Sequence, residues 1–195
     1  MLAYVFWHRP AAGVAQEDYE AALQRFHGSL ARNPPSGLSG SATLRAAELP
    51  WLAGAGQGYE DWYTLESWSA LGVLEAAAVS SGHESAHHEA ARRAGGGTAA
   101  VYRLIEGELE PGRARLAAWV GRPAGEDDPS VGQLLGDGVS SSKGSLWQRC
   151  LVLGPAPEFC LLLESEELPA QSGLAPSRLP AGWSATLSGR APLAA

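Results

Sequence analysis

GYEDWYTLESWSALGVLEAAAVSSGHESAHHEAARRAGGGTAAVYRL, residues 58–104, is the stretch that decides the fold. Tyr59–Glu66 is dense in aromatic and β-compatible residues and runs into Ser67, a side chain suited to cap a helix that Trp68, Leu71, Leu74 and Ala78 continue at helical spacing. Ser80-Ser81-Gly82 interrupts that helix and His83–Ala94 resumes it. Gly95-Gly96-Gly97 reads as its stop, and Thr98–Ile105 as a returning strand. The stretch predicts strand, helix, helix, strand.

Toward the N-terminus, Leu38–Leu52 alternates through Ala42, Leu44 and Ala46 until Pro50, and Gly54–Gly58 supplies a hairpin-like connection into the deciding stretch. Before it, Tyr19, Leu23, Phe26 and Leu30 repeat at spacings of four and three, with Glu17-Asp18 at the positive end of the helix dipole and Asn33-Pro34-Pro35 beyond its end. Leu2–His8 is a short aliphatic and aromatic run closed by Arg9-Pro10, a first strand. The order β-α-β-β-α-β is the split βαβ, ferredoxin-like arrangement, with its helices on one face of a four-stranded antiparallel sheet.

Toward the C-terminus, past the polar linker Glu106–Gly112, Leu116–Pro123 (LAAWVGRP) lines up with Tyr4–Pro10 (YVFWHRP) when Arg-Pro is held in register. Phe159–Ser165 (FCLLLES) lines up with Asp61–Ser67 (DWYTLES). Two matches in one order predict a duplication. Between them Ser130–Ser140 is a glycine-interrupted helix, and Leu146–Leu153 with Glu158–Glu164 forms a hairpin around Gly154-Pro155-Ala156-Pro157. A short helix is expected near Leu174–Leu179, a last strand over Trp183–Leu187, then a loose tail. The expected organisation is a first repeat over residues 1–107, a second, degenerate one over 113–189 and a tail over 190–195.

With 195 residues, 45% of them hydrophobic, the chain can bury a sizeable core. Its net charge of −7 and the lack of any basic run argue against nucleic acid or an anionic membrane as partner. MLAYVFWHRP has no basic n-region, and no apolar run reaches the length of a membrane span, so a cytoplasmic location is expected. Cys150 and Cys160 fall nearly opposite each other on the expected hairpin, where free core thiols suit a reducing compartment. No phosphate-cradling loop, nucleophile elbow or dinucleotide fingerprint is present.

Two ferredoxin-like units in one chain resemble the dimeric α+β barrel superfamily in its fused, two-repeat form. That implies an α+β fold of tandem repeats whose antiparallel sheets face each other. Arg25-Phe26-His27-Gly28-Ser29-Leu30 is similar to the His-Gly-Pro-Leu element of EthD-like members, with Ser29 in place of proline. The superfamily includes cofactor-free monooxygenases, haem-degrading and haem-binding proteins, and proteins without known activity, so membership does not fix function. Haem-binding relatives take the iron ligand from a helix of the later repeat. All five histidines here lie at or before position 88, so haem is not expected, and with no cofactor fingerprint in the chain none is expected at all.

The resemblance implies a ligand cavity between the sheets. With Arg-Pro in register, Tyr4, Phe6 and His8 share a strand face with Ala117 and Trp119, while Ala3, Val5 and Trp7 share the other. Small aliphatic residues suit close helix packing, so Tyr4, Phe6, His8 and Trp119 are the expected interior lining. Trp62, Thr64 and Glu66 are the expected contribution of the third strand. Such a lining fits a small apolar or aromatic ligand, held by a small-molecule binding or cofactor-free monooxygenase-like protein that is a monomer or homodimer. The alternative is a noncatalytic structural or interaction protein with a filled barrel, and a third reading is a zinc hydrolase.

His83-Glu84-Ser85-Ala86-His87 satisfies HExxH, where two imidazoles one turn apart hold zinc and the glutamate activates water, with Glu106 as a possible third ligand. Few apolar anchors surround it. Glu84 with His88 and Glu89 with Arg93 also form ordinary i,i+4 pairs, so a solvated helix face is expected and no metal.

Overall fold

The computed structural model describes residues 1–193 apart from 48, 55–56, 81, 137–142 and 153–154. In chain order the elements are β1 (Leu2–Pro10), α1 (Gln16–Arg32), β2 (Leu38–Ala46), β3 (Gly58–Leu65), α2 (Trp68–Ala78), α3 (Glu84–Arg93) and β4 (Ala94–Gly107). After a 3-10 turn at Pro111–Arg113 come β5 (Leu116–Gly121), α4 (Val131–Leu135), β6 (Gly144–Val152), β7 (Phe159–Leu163) and β8 (Ser184–Pro192). All neighbouring strands pair antiparallel, and the eight close into a barrel in the order β1-β3-β2-β8-β5-β7-β6-β4. Closure leaves no free sheet edge. No helix among the described residues is long and apolar enough to cross a membrane.

Ser67 caps α2 as its position predicts, its side chain accepting from the Ala70 amide. Ser130 caps α4 with a reciprocal Gln133 contact, but α4 has only five residues. The rest of the expected helix, residues 137–140, lies outside the described residues, as do 153–154 of the expected hairpin. The Leu174–Leu179 segment forms turns rather than a helix. The glycine triplet does not stop α3 but belongs to β4, where Gly96 and Gly97 pair with Arg9 and His8. A Cβ on Gly97 would lie 2.5 Å from the Phe6 ring and from the Trp7 carbonyl, so glycine lets that ring lie against the strand. The expected loose tail is also different: β8 runs to Pro192 and carries a buried Arg190.

The barrel interior is packed with indoles. Trp7, Trp62, Trp119 and Trp147 are almost fully buried and mostly meet edge to face. The centroids of Trp7 and Trp119 are 5.3 Å apart and those of Trp62 and Trp147 5.6 Å. Ala3, Val5, Leu44, Tyr102, Cys160 and Leu162 are among the residues packed around them. One ion pair lies inside it: Arg190 Nε donates to Glu60 Oε2 at 3.0 Å, both side chains being inaccessible. Trp62 Nε1 donates to the same oxygen, and Arg190 also reaches the Pro111 carbonyl. A buried charge needs this density of partners.

Two further apolar clusters cover the barrel's outside. Tyr19, Ala22, Leu23, Phe26 and Leu30 of α1 pack on Leu2, Tyr59, Tyr63, Leu65 and Val101, and α2 and α3 add Leu74 and Ala90. Over the second half, Val131, Leu134, Leu135 and Leu174 pack on Leu116, Ala118, Val120, Phe159, Leu161 and Leu163.

This arrangement reverses the expected faces of β1. Ala3, Val5 and Trp7 point inward, while Tyr4, Phe6 and His8 line the space under the helices. Trp7 and Trp119 occupy the same side of the barrel wall, which an alignment on Arg-Pro cannot give. Superposing the tryptophans requires one extra residue before Arg122-Pro123, and in a strand a slip of one exchanges every face. The match of Asp61–Ser67 with Phe159–Ser165 preserves faces: Trp62 and Cys160 both point inward.

Candidate functional site

A cavity of about 720 Å3 lies between the outer face of β1, β3 and β4 and the undersides of α1, α2 and α3. The barrel centre, where the sequence reading put the ligand, is filled. A smaller space of about 200 Å3, beside the 3-10 turn, touches Ala42, Trp62, Thr64 and Pro111.

The seven expected ligand residues therefore separate. Tyr4, Phe6 and His8 line the large cavity. Trp62 and Trp119 are in the tryptophan core, and Thr64 donates to the Gly40 carbonyl beside the smaller space. Glu66 lies beyond the end of β3 and is exposed.

Asp61, in the middle of β3, is the centre of the cavity's polar wall. It is 3% exposed, and His8 Nε2 lies 3.2 Å from its Oδ2 while His27 Nε2 lies 3.3 Å from its Oδ1. Both contacts are at ion-pair distance, but bent enough that His8 Nε2 and Asp61 Oδ1 make no regular hydrogen bond. Tyr63 Oη donates to Asp61 Oδ2 at 3.2 Å. On the far side of His8, Tyr19 Oη is 2.6 Å from Nδ1. The His8 ring lies between Phe6, at 5.0 Å, and Tyr59, at 5.8 Å, stacked on both.

Burial alone would push the Asp61 carboxyl up, but the adjoining His8 and His27 imidazoles outweigh it and hold the group below the ordinary carboxylate range. Burial, with Asp61 nearby, raises the Tyr19 and Tyr63 phenols, so both stay protonated as donors. With Asp61 ionised, the consistent tautomer of neutral His8 keeps its proton on Nε2, facing Asp61, and accepts from Tyr19 at Nδ1. The result is a phenol–imidazole–carboxylate chain open to an aromatic cavity.

The opposite wall carries Leu71, Leu74 and Glu75 of α2 and His87 and Ala90 of α3. Burial, then His88, lowers His87, which meets the Phe26 ring at 5.3 Å. Arg25 forms a two-point ion pair with Glu89 that ties α1 to α3. The expected i,i+4 contacts of Glu84 with His88 and Glu89 with Arg93 are also present.

His83 differs from a solvated residue. It is buried and opens α3, with Nδ1 3.0 Å from Ser29 Oγ, which itself donates to the Phe26 carbonyl. Glu106 accepts from the Val131 amide at the start of α4. Among the described residues no three His, Cys, Asp or Glu side chains are grouped to hold a metal ion. Cys160 is buried opposite Trp147, whereas Cys150 is exposed, so the two are not cross-strand partners and Cys150 is not a core thiol.

No protein-family model matches the chain, and no curated protein matches it by sequence. Among solved structures it superposes on one described as a crystal structure study of an anthrone oxidase-like protein, with a TM-score of 0.50 and 10% identity. The match covers 97% of this chain and 91% of that one. The likeness is one of fold. The chain has a dimeric α+β barrel-type fold, here an eight-strand antiparallel barrel closed within one chain.

Asp61 and His27 were not among the sequence candidates for the ligand site. Glu60-Asp61 carried a usable signal, since two acids in the middle of a strand this apolar require buried partners. His27 lies in the segment similar to EthD-like proteins, but its partner is 34 residues away and no spacing joins them.

Proposed function

We propose that the chain binds a planar aromatic small molecule in the cavity beneath α1, α2 and α3, and that the site suits cofactor-free oxygenation of a carbon acid. The observation that carries this is the Tyr19–His8–Asp61 chain on the wall of an aromatic-lined cavity of about 720 Å3. A substrate C–H proton reaching the Tyr19 oxygen is taken up as the phenol passes its own proton to His8 Nδ1. No phenolate is needed. The carbanion left behind, if stabilised by flanking rings, reduces dioxygen and combines with it to give a peroxide anion, which takes a proton back from Tyr19 as His8 returns its own to the phenol, giving the hydroperoxide. Loss of water from the hydroperoxide leaves a carbonyl, so one methylene group and one dioxygen become one ketone and one water. The chain supplies binding, orientation and the proton acceptor, and Asp61 stabilises the imidazolium. The fold likeness to an anthrone oxidase-like protein makes anthrone a natural probe.

We also read the halves as fused ferredoxin-like repeats. The strand orders β4-β1-β3-β2 and β8-β5-β7-β6 and the matching faces of β3 and β7 support this. The filled barrel is what the noncatalytic alternative expects, but the cavity outside it favours ligand binding.

The test is oxygen uptake with anthrone, following anthraquinone by absorbance. Uptake above the spontaneous rate that falls about 100-fold or more in His8→Phe is expected. A wild-type rate equal to the protein-free rate would remove the oxygenase reading.

A further inference from the structure

His27 is not needed for the proton step just described, yet it occupies half of the carboxylate that orients His8. We propose that His8 and His27 share a single positive charge against Asp61, so that a proton taken up at His8 is matched by one released at His27. This rests on the proton-acceptor reading of His8, and it adds a charge-compensating residue outside the cavity lining.

The geometry divides the carboxylate evenly, with His8 on Oδ2 at 3.2 Å and His27 on Oδ1 at 3.3 Å. One carboxylate can neutralise one imidazolium. A second would be a buried cation without a counter-charge, which is strongly disfavoured. The other groups facing this cluster do not supply that charge. Tyr63 donates to Oδ2, Tyr19 occupies His8 Nδ1, and the Tyr4 phenol is held protonated by burial. Tyr59 stacks on His8 and donates to Glu20, whose carboxylate is engaged by Arg45. The strand neighbours of Asp61 are Phe6 and Thr43, both uncharged. Glu75 and His87 line the cavity from α2 and α3, on the wall across from Asp61.

His8 is 0% exposed and His27 8%, and both ring nitrogens of His27 are buried without a hydrogen bond, so neither imidazole has another partner that would hold a second charge. On this proposal the charge rests on one imidazole at a time, so the arrival of the ligand's proton at His8 is accompanied by loss of a proton from His27. The site keeps one imidazolium and one carboxylate throughout, and no proton crosses Asp61.

The experiment is a pH titration of the 15N-histidine-labelled full chain by NMR, for wild type, His27→Gln and His27→Asn. Expected are coupled curves for His8 and His27 in wild type. In either variant the His8 midpoint should move up by about one pH unit or more, because Asp61 then serves one imidazole alone. Superimposable His8 curves in wild type and variants would overturn the proposal. Should neither variant fold, independent single-site wild-type curves in which both rings become charged together would overturn it equally. Coupled curves in a protein that leaves anthrone untouched would defeat the oxygenase reading alone. Uncoupled curves with oxidation intact would defeat the charge sharing alone.

Discussion

The two halves of the barrel have the same strand order but opposite fates on their outer faces. Over β5, β6 and β7, a five-residue helix and the Leu168–Trp183 segment pack apolar side chains against the sheet, and Phe159, Leu161 and Leu163 are sealed. Over β1, β3 and β4, three helices arch across and leave about 720 Å3 between themselves and a wall that includes His8 and Asp61. The difference teaches that closure and packing can be carried by one half while the other keeps a cavity and polar groups that cost stability.

The largest effect should come from the shared core, which neither half can spare. Trp119→Ala removes an indole packed against Trp7, Trp51 and Trp62, and is expected to cost about 4 kcal/mol in urea unfolding. A cost below about 1 kcal/mol would mean the barrel centre is loosely filled. Arg190→Ala, which leaves Glu60 buried and unpaired, should cost about 3 kcal/mol. The double change Glu60→Gln with Arg190→Met should recover much of that loss.

The comparison itself is sharpened by two equal truncations. Leu161→Ala in the sealed second half should cost about 3 kcal/mol, and Leu23→Ala on the cavity wall about 2 kcal/mol, because part of the Leu23 surface already borders open space. Equal costs, measured by denaturant midpoint at unchanged m, would argue against a real difference between the halves.

A smaller effect concerns how α1 is held over the cavity. Arg45 and the Tyr59 hydroxyl bind Glu20 and lower its carboxyl to about 2. A folded-state value below the unfolded one means the contribution is complete above about pH 4.5 and fades as pH falls toward 2. Because the Arg45 side chain is 42% exposed, solvent screening reduces the benefit to about 1 kcal/mol. Glu20→Gln should therefore lower stability by that amount at pH 7 and by less at pH 3. An equal loss at both pH values would contradict the assignment.

Much of the fold was legible because its signals are local. The aromatic strand Tyr59–Leu65, the Ser67 cap and the α1 stripe of Tyr19, Leu23, Phe26 and Leu30 each follow from neighbours in sequence. Which face of β1 turns inward was not, because small aliphatic residues suit helix packing in general, whereas here Ala3 and Val5 make room for the indoles inside the barrel. Gly95-Gly96-Gly97 misled for a related reason: glycine ends helices, but here it admits the Phe6 ring beside a strand. His8 was a legible candidate, although in the wrong compartment. The pairing of His8 with Asp61, His27 and Tyr19 depends on β1, β3 and α1 meeting, and no spacing within the chain encodes that contact.

The central claim is that the ligand site lies under the helices of the first half and not inside the barrel. It is tested most directly by calorimetric titration of anthraquinone, the stable product analogue, into wild type and Ala78→Trp. Ala78 is a half-buried cavity residue of α2, so an indole there fills the space without displacing the core. At least a tenfold loss of affinity, with the unfolding midpoint unchanged, is the predicted result. Undiminished binding to Ala78→Trp would contradict the account.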